Sequence, residues 1–429
     1  MIEPSGSGTA RDQAPGREFW LVIGYAAILG AVGAVGGLVF LGVIGVGPTW
    51  YGDDAGTGWM QGQLWWVAVA AAAGLLVGAL RRLFAMPAHL PGLIDDLETG
   101  QMDTAMVPKT IAVSAVSLIG GASLGPEVAL GSIGGGTGSW IAKRRKLASE
   151  DGQALTLSGM AGSYSGLFSS PLLSMMLVLE VARPPRAHYA KTFYGTLMSS
   201  AVGFGLYFAL AGSVFLGIYE VPKYTFESWH LLVGVALGIL AAVLVLLMKI
   251  IGTAVGQLVA RVTLPEIALP LLGGIVFGLL GVALPLTLFT GSDQLSTVLA
   301  DTGTLSTWLL VGTLLGKMVA FAVSSATRFI GGPIFPILFI GGISGSLVGQ
   351  LIPAIPLALA FTCLLAAVPG SIVPAPFTMV LLAALMTQVG TLQTAPILLA
   401  VGTSFLVLSG LELILAQRRQ PGGQVAASP

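Results

Sequence analysis

The chain has 429 residues, 55% of them hydrophobic and 9% charged, with 19 basic side chains balancing 19 acidic ones. At a mean hydropathy of +0.91, a water-soluble domain of this length has nowhere to bury its apolar surface, so the composition describes a multi-pass, all-α membrane protein. Zero net charge without a basic domain excludes nucleic acid as a partner, and a single cysteine, Cys363, excludes a disulfide framework or cysteine metal cluster.

Residues 1–18 are polar and contain Gly and Pro, which predicts a short disordered cytoplasmic tail. Phe19–Val46 is too long for a secretory signal and lacks its small-residue cleavage context, so it is expected to be the first membrane helix. Further apolar runs follow at Leu64–Leu80, Ala190–Leu216, Leu231–Ile251, Ile267–Leu288 and Trp308–Val323. About ten to fourteen such segments are expected in all, at about 20 residues per full span. The basic clusters are Arg81-Arg82, Lys143 to Lys146, Arg183 to Arg186, Arg261 and Arg418-Arg419. The excess of basic residues in cytoplasmic loops places all of them, and both termini, inside a cell (inner) membrane. The polar stretch Tyr219–Ser228 lies near the midpoint. It divides the chain into a first repeat (19–218), an extracytoplasmic linker (219–227), a second repeat (228–418) and a short cytoplasmic tail (419–429).

Both repeats carry the same broken-helix signature. The first reads Lys109, then Gly120 to Glu127 with Pro126, then Pro171-Leu172-Leu173-Ser174-Met175. The second reads Lys317, then Gly331-Gly332-Pro333-Ile334-Phe335-Pro336, then Pro376-Phe377-Thr378-Met379. Taking Pro336 as the motif proline, the intervals from lysine to proline are 17 and 19 residues. Such breaks leave backbone groups unpaired, which a membrane tolerates only inside protein or beside water. Matching breaks in two halves point to a transport site near the midplane. Further irregular points are expected at 87–92, 163–171 and 369–376. Short helices whose N-termini converge there would build an anion site from backbone amides.

These motifs resemble those of the CLC family of chloride channels and chloride/proton antiporters, in a divergent prokaryotic form. Ala122-Ser123-Leu124-Gly125-Pro126 corresponds to the family's Gly-Lys/Arg-Glu-Gly-Pro, and Gly332-Pro333-Ile334-Phe335-Pro336 to its Gly-x-Phe-x-Pro. Phe168-Ser169-Ser170-Pro171-Leu172 through Glu180 resembles a third element, Val373 through Thr387 a fourth, and Pro87 to Pro91 the remnant of a fifth. The likeness spans about residues 19–415. It implies an inverted repeat of two helical halves with broken and re-entrant helices. It also implies a homodimer with one pore per subunit, in a lipid bilayer, carrying chloride or a similar monovalent anion. No cofactor or metal is expected.

The departures bear on mechanism. The family's gating glutamate position holds Leu124, its inner proton-transfer glutamate falls on Val181 beside Glu180, and its first-motif serine is Ala88. Its late tyrosine has no counterpart, since the last tyrosine here is Tyr224. Proline at 333 supplies no amide. The backbone half of the filter remains: amides of Leu124, Gly125, Glu127, Val128, Ile334 and Phe335. Glu127 is a candidate displaced gate, a tethered anion that competes with chloride, or else a plain helix-start acid. Lys109 and Lys317 are candidates for vestibule electrostatics, or snorkelling lysines. His89, next to Ala88, is a candidate anion-side donor or a local hydrogen-bonder. Glu180 is expected to pair with Arg183 three residues on, or to relay protons. The acids Asp95, Asp96, Glu98 and Asp103 read as a solvated face.

The leading expectation is passive anion transport, because both usual proton positions, Leu124 and Val181, are apolar. A proton-coupled exchanger built on Glu127 and Glu180 is the alternative. A carrier of another class, for an organic or cationic solute, is a third reading. No His-rich cluster, Gly-x-Ser-x-Gly elbow or paired Asp suggests an enzyme.

Overall fold

The computed structural model describes residues 16–52, 62–212 and 217–419. Of the expected tails, 1–18 and 419–429, residues 1–15 and 420–429 lie outside them, while Arg17 and Glu18 already belong to the first helix and Arg419 to the last. The first half contains α1 (Arg17–Ile44), α2 (Val46–Gly52), α3 (Trp66–Leu83), α4 (Leu93–Thr99), α5 (Val107–Ile119), α6 (Glu127–Arg145), α7 (Ser149–Leu167), α8 (Pro171–Ala182) and α9 (Tyr189–Ala211). The second contains α10 (His230–Arg261), α11 (Ala268–Ala283), α12 (Ser292–Ala300), α13 (Thr307–Ala326), α14 (Ile334–Leu351), α15 (Leu357–Gly370), α16 (Pro376–Thr387) and α17 (Thr394–Arg419). Among the described residues seven helices are long and apolar enough to cross a membrane, and five shorter apolar helices accompany them.

The helix starts follow local chemistry. Pro171 and Pro376 open α8 and α16, where a missing N–H costs nothing. Ser170 and Ser306 turn their hydroxyls back onto the amides of Leu173 and Leu309 at 3.2 Å. The irregular points at 163–171 and 369–376 are shorter than the sequence suggested. α7 continues to Leu167 and α15 runs through Pro369, leaving only 168–170 and 371–375 non-helical.

Packing repeats between the halves. α6 lies on α7 as α14 lies on α15, α7 on α8 as α15 on α16, and α1 on α9 as α10 on α17. Across the halves α3 meets α11 and α8 meets α16. α14 and α15 are apolar all round and buried all round, as a central helix must be. α6 and α7 reach the same depth by closeness instead. A Cβ on Gly134 would overlap the Gly159 carbonyl, and one on Gly159 the Gly134 carbonyl. Large apolar side chains on α1, α10 and α17, such as Trp20, Leu232 and Leu413, stay exposed for lipid.

Tyr219, expected in an outside linker, is 2% exposed; its amide donates to Met386 O and its ring packs edge-on to Phe361. His230 is buried too, with Nδ1 accepting from the Glu227 amide at 2.9 Å.

Neither repeat lysine snorkels. Lys317 is fully buried, its Nζ donating to the carbonyls of Thr287, Leu288 and Phe289 at 3.2, 3.2 and 2.8 Å. Lys109 donates to Phe84 O at 3.0 Å. Each ties off the chain just beyond α11 or α3, where carbonyls lack helical partners. Lys317→Met should therefore lower stability by about 3 kcal/mol and Lys109→Met by about 1 kcal/mol, read as thermal midpoints in detergent; equal losses would contradict the difference in capping.

Candidate functional site

The two broken segments meet in an antiparallel backbone pair. The Gly125 amide donates to Gly332 O and the Gly332 amide to Gly125 O, both at 2.7 Å. Around this pair the two halves exchange further bonds in matching register. Ser324 Oγ accepts from the Ser123 amide, and Ser117 Oγ accepts from the Ile330 amide, each at 3.1 Å. Gly121 and Arg328 both take positive φ, at 91° and 69°. The pair aligns Pro126 with Pro333, not with Pro336 as the motif count assumed. The lysine-to-proline intervals then become 17 and 16 residues.

Glu127 opens α6 and is fully buried. Its Oε1 accepts from the Phe335 amide at 3.0 Å, and its own amide and that of Ile334 also face the carboxylate. Oε2 lies against the backbone pair: a Cβ on Gly125 or Gly332 would overlap it. A single carboxylate thus fills the space between the N-termini of α6 and α14, where amides and dipoles favour negative charge. The expected set of free amides changes accordingly. Gly125 gives its amide to Gly332, Leu124 gives its amide to Ala122 O at 2.8 Å, and Phe335 gives its amide to Glu127.

Residues flanking Glu127 line two cavities. A wide one of about 1040 Å³ is lined by Leu124, Val128, Gly331 and Pro333 from the two breaks, and by Arg81, His89 and Arg328 among others. A smaller one of about 260 Å³ ends on Pro126 and Phe335. Leu124 lines the wide cavity, is 2% exposed and packs beside Gly331. Arg81 holds the 87–92 loop there, with Nη2 donating to Pro87 O at 2.6 Å. His89 is exposed on the rim.

Glu180 does not pair with Arg183 through its side chain; Arg183 Nε reaches only the Glu180 backbone oxygen, at 3.3 Å. The carboxylate crosses to the other half. Oε1 accepts from the Phe377 amide, and Oε2 from the Thr378 amide and hydroxyl, at 2.9, 2.9 and 2.7 Å. It caps α16 as Glu127 caps α14. Val181 is buried and apolar. The acidic run is not simply solvated: Asp95 caps the Gly92 amide at 2.8 Å. Burial, with Asp95 close by, pushes the half-buried Asp96 carboxyl up to about 7. It stands on the seven-residue α4, too short to span, and lines the wide cavity.

The sequence reading passed over Ser117, Ser324 and Tyr164. The serines each lie eight residues before their glycine, Gly125 or Gly332, a spacing that could have been read. Among the described residues no group of three His, Cys, Asp or Glu side chains could hold a metal ion.

Comparison with known proteins agrees with this architecture. The family described as Voltage gated chloride channel matches residues 73–409. The chain is 25% identical over 372 residues to the Putative ion-transport protein YfeO of Salmonella newport, covering 83% of this chain and 86% of that protein. It is 25% identical over 312 residues to the protein of the same name from Escherichia coli O7:K1, covering 70% and 71%. A slow cyanobacterial Cl-/H+ antiporter superposes with a TM-score of 0.75 at 20% identity, over 95% of this chain and 99% of the other. A CLC-type fluoride/proton antiporter does so at 0.71 and 15%, over 92% and 95%. An unrelated carrier for an organic or cationic solute is thereby set aside.

Two expectations follow. Gly332→Ala places a methyl where Glu127 Oε2 lies, so it should break the backbone pair or expel the carboxylate and cost about 2 kcal/mol or more; an unchanged thermal midpoint would contradict the packing. Asp96 binds its proton more tightly folded than unfolded, so stability falls as pH rises from about 3.8 through about 7. Asp96→Asn should therefore raise the thermal midpoint at pH 8 and barely change it at pH 4.

Proposed function

The chain belongs to the voltage gated chloride channel family, and we propose that it carries a monovalent anion of the chloride class passively, through a pathway closed at rest by the Glu127 carboxylate. The observation that supports this is the position of that carboxylate, bonded to the Phe335 amide among residues that line the two cavities: Pro126 and Phe335 the small one, Leu124, Val128 and Pro333 the wide one. An anion entering from either side meets the same amides and must displace a tethered competitor. Protonation of Glu127 removes that competition, so acid should open the pathway.

Passive movement is favoured over obligate proton exchange because a second titratable step is lacking where the family keeps one. Leu124 and Val181 cannot ionise, and Glu180 is engaged by three donors at the start of α16. The rival reading, coupled exchange through Glu127, draws on the two solved neighbours, both named as proton antiporters.

The basic residues support one orientation. Arg81 and Arg328 line the wide cavity, and Lys143 bonds Thr104 beside Asp103, which lines it as well. The wide cavity then opens to the cytoplasm, with both termini on that side of the cell membrane. The functional unit is a homodimer with one pathway in each subunit.

Chloride efflux from reconstituted liposomes tests the reading. Wild-type flux should rise up to about tenfold per pH unit of acidification while the carboxylate stays mostly ionised. Glu127→Gln should be fast and insensitive to pH. Proton movement driven uphill by the chloride gradient would replace the passive reading with exchange.

A further inference from the structure

The buried polar atoms with no hydrogen-bond partner among the described residues include Glu127 Oε2 and Tyr164 Oη. Both residues are fully buried. An unpaired phenol in so closely packed an interior is costly, and each such group calls for an explanation. Tyr164 extends from α7 toward α6, where it ends against Gly131: a Cβ there would overlap Oη. Gly131 follows Glu127 by four positions, one turn on along the same face of α6. Neighbours at that spacing lie about 5–6 Å apart at Cβ, a gap that a glutamate side chain bridges in ordinary helix ion pairs. The phenol therefore occupies the volume of the side chain that Gly131 lacks, within reach of a Glu127 side chain turned along its helix.

The phenol is also mechanically joined to the resting site. The Tyr164 ring packs on Phe168 at 6.3 Å, and Phe168 stacks on Phe335 at 6.2 Å with planes 5° apart. Phe335 is the residue whose amide holds Glu127 Oε1.

We propose that Tyr164 Oη is the second resting place of the Glu127 carboxylate, occupied when an anion takes its place between the N-termini of α6 and α14. The carboxylate turns along α6, past Gly131, and accepts the phenol O–H in a charge-assisted bond. Tyr164 is then a positioning residue for the gate. Because the displaced carboxylate keeps a donor, its departure as an anion costs less, while protonation still favours it further. This rests on the reading of Glu127 as the gate.

Chloride efflux at pH 7 from liposomes carrying wild type, Tyr164→Phe, Glu127→Ala or the double variant tests it, with thermal midpoints measured alongside. Tyr164→Phe should slow efflux by about tenfold, the worth of one hydrogen bond to a charged group. Its midpoint should hold or rise, since the hydroxyl is unpaired at rest. In the Glu127→Ala background the same substitution should leave the faster flux unchanged. An equal slowing with and without Glu127 would overturn the proposal, because the hydroxyl would then serve the anion itself. So would a Tyr164→Phe protein indistinguishable from wild type while Glu127→Ala is fast, and there the gate reading survives alone. If Glu127→Ala changes neither flux nor its pH response, the gate reading falls and takes this proposal with it.

Discussion

Everything at the site hangs on the reciprocal pair of hydrogen bonds between Gly125 and Gly332. Two helix breaks deep in an apolar chain would each strand backbone groups without partners, at a cost no membrane interior forgives. Here each break supplies what the other lacks. Ser117 and Ser324 extend the exchange, each giving its hydroxyl oxygen to an amide in the opposite segment. Neither half could hold its break alone, so the two must fold against one another. Two helix N-termini are thereby brought to one place, where the Phe335 amide holds the Glu127 carboxylate.

The backbone is nearly symmetric while the chemistry placed on it is not. Glu127 caps α14 and Glu180 caps α16. In the second half the corresponding positions are Ile334 and Leu385. Both carboxylates thus come from the first half and bind helix starts in the second. A helix start that attracts anions can be satisfied by a tethered one. Glu180 has three donors and no unpaired oxygen, which suits a fixed cap. Glu127 has one oxygen held and the other without a hydrogen bond among the described residues, which suits a group that moves. Their difference lies in their surroundings, since the two side chains are chemically the same.

Much of the fold was legible because Gly/Pro breaks in long apolar runs have few physical meanings. Composition indicated the membrane, and the doubled signature marked the two breaks that the Gly125–Gly332 bonds bring together. Register was not legible. Pro336 and Pro333 are both plausible partners for Pro126 until the Gly125–Gly332 bonds decide. Long-range capping was also invisible: Glu180 lies close in sequence to Arg183, yet its carboxylate partners stand 197 and 198 residues away. Lys317 looked like a snorkelling residue because sequence does not show the three carbonyls converging beyond α11. Tyr164 stood in a small-residue helix that resembles a packing face, and only the unpaired oxygen in the folded chain draws attention to it.

The central claim is that one carboxylate and one transported anion compete for the same amides at the N-termini of α6 and α14. Anomalous diffraction from bromide-soaked crystals at acid and alkaline pH tests this most directly. The account predicts a bromide peak within hydrogen-bond distance of the Phe335 amide in acid, with Glu127 displaced, and no peak there in alkali. Bromide bound at that amide while Glu127 keeps its place, or bound equally at both pH values, would contradict it.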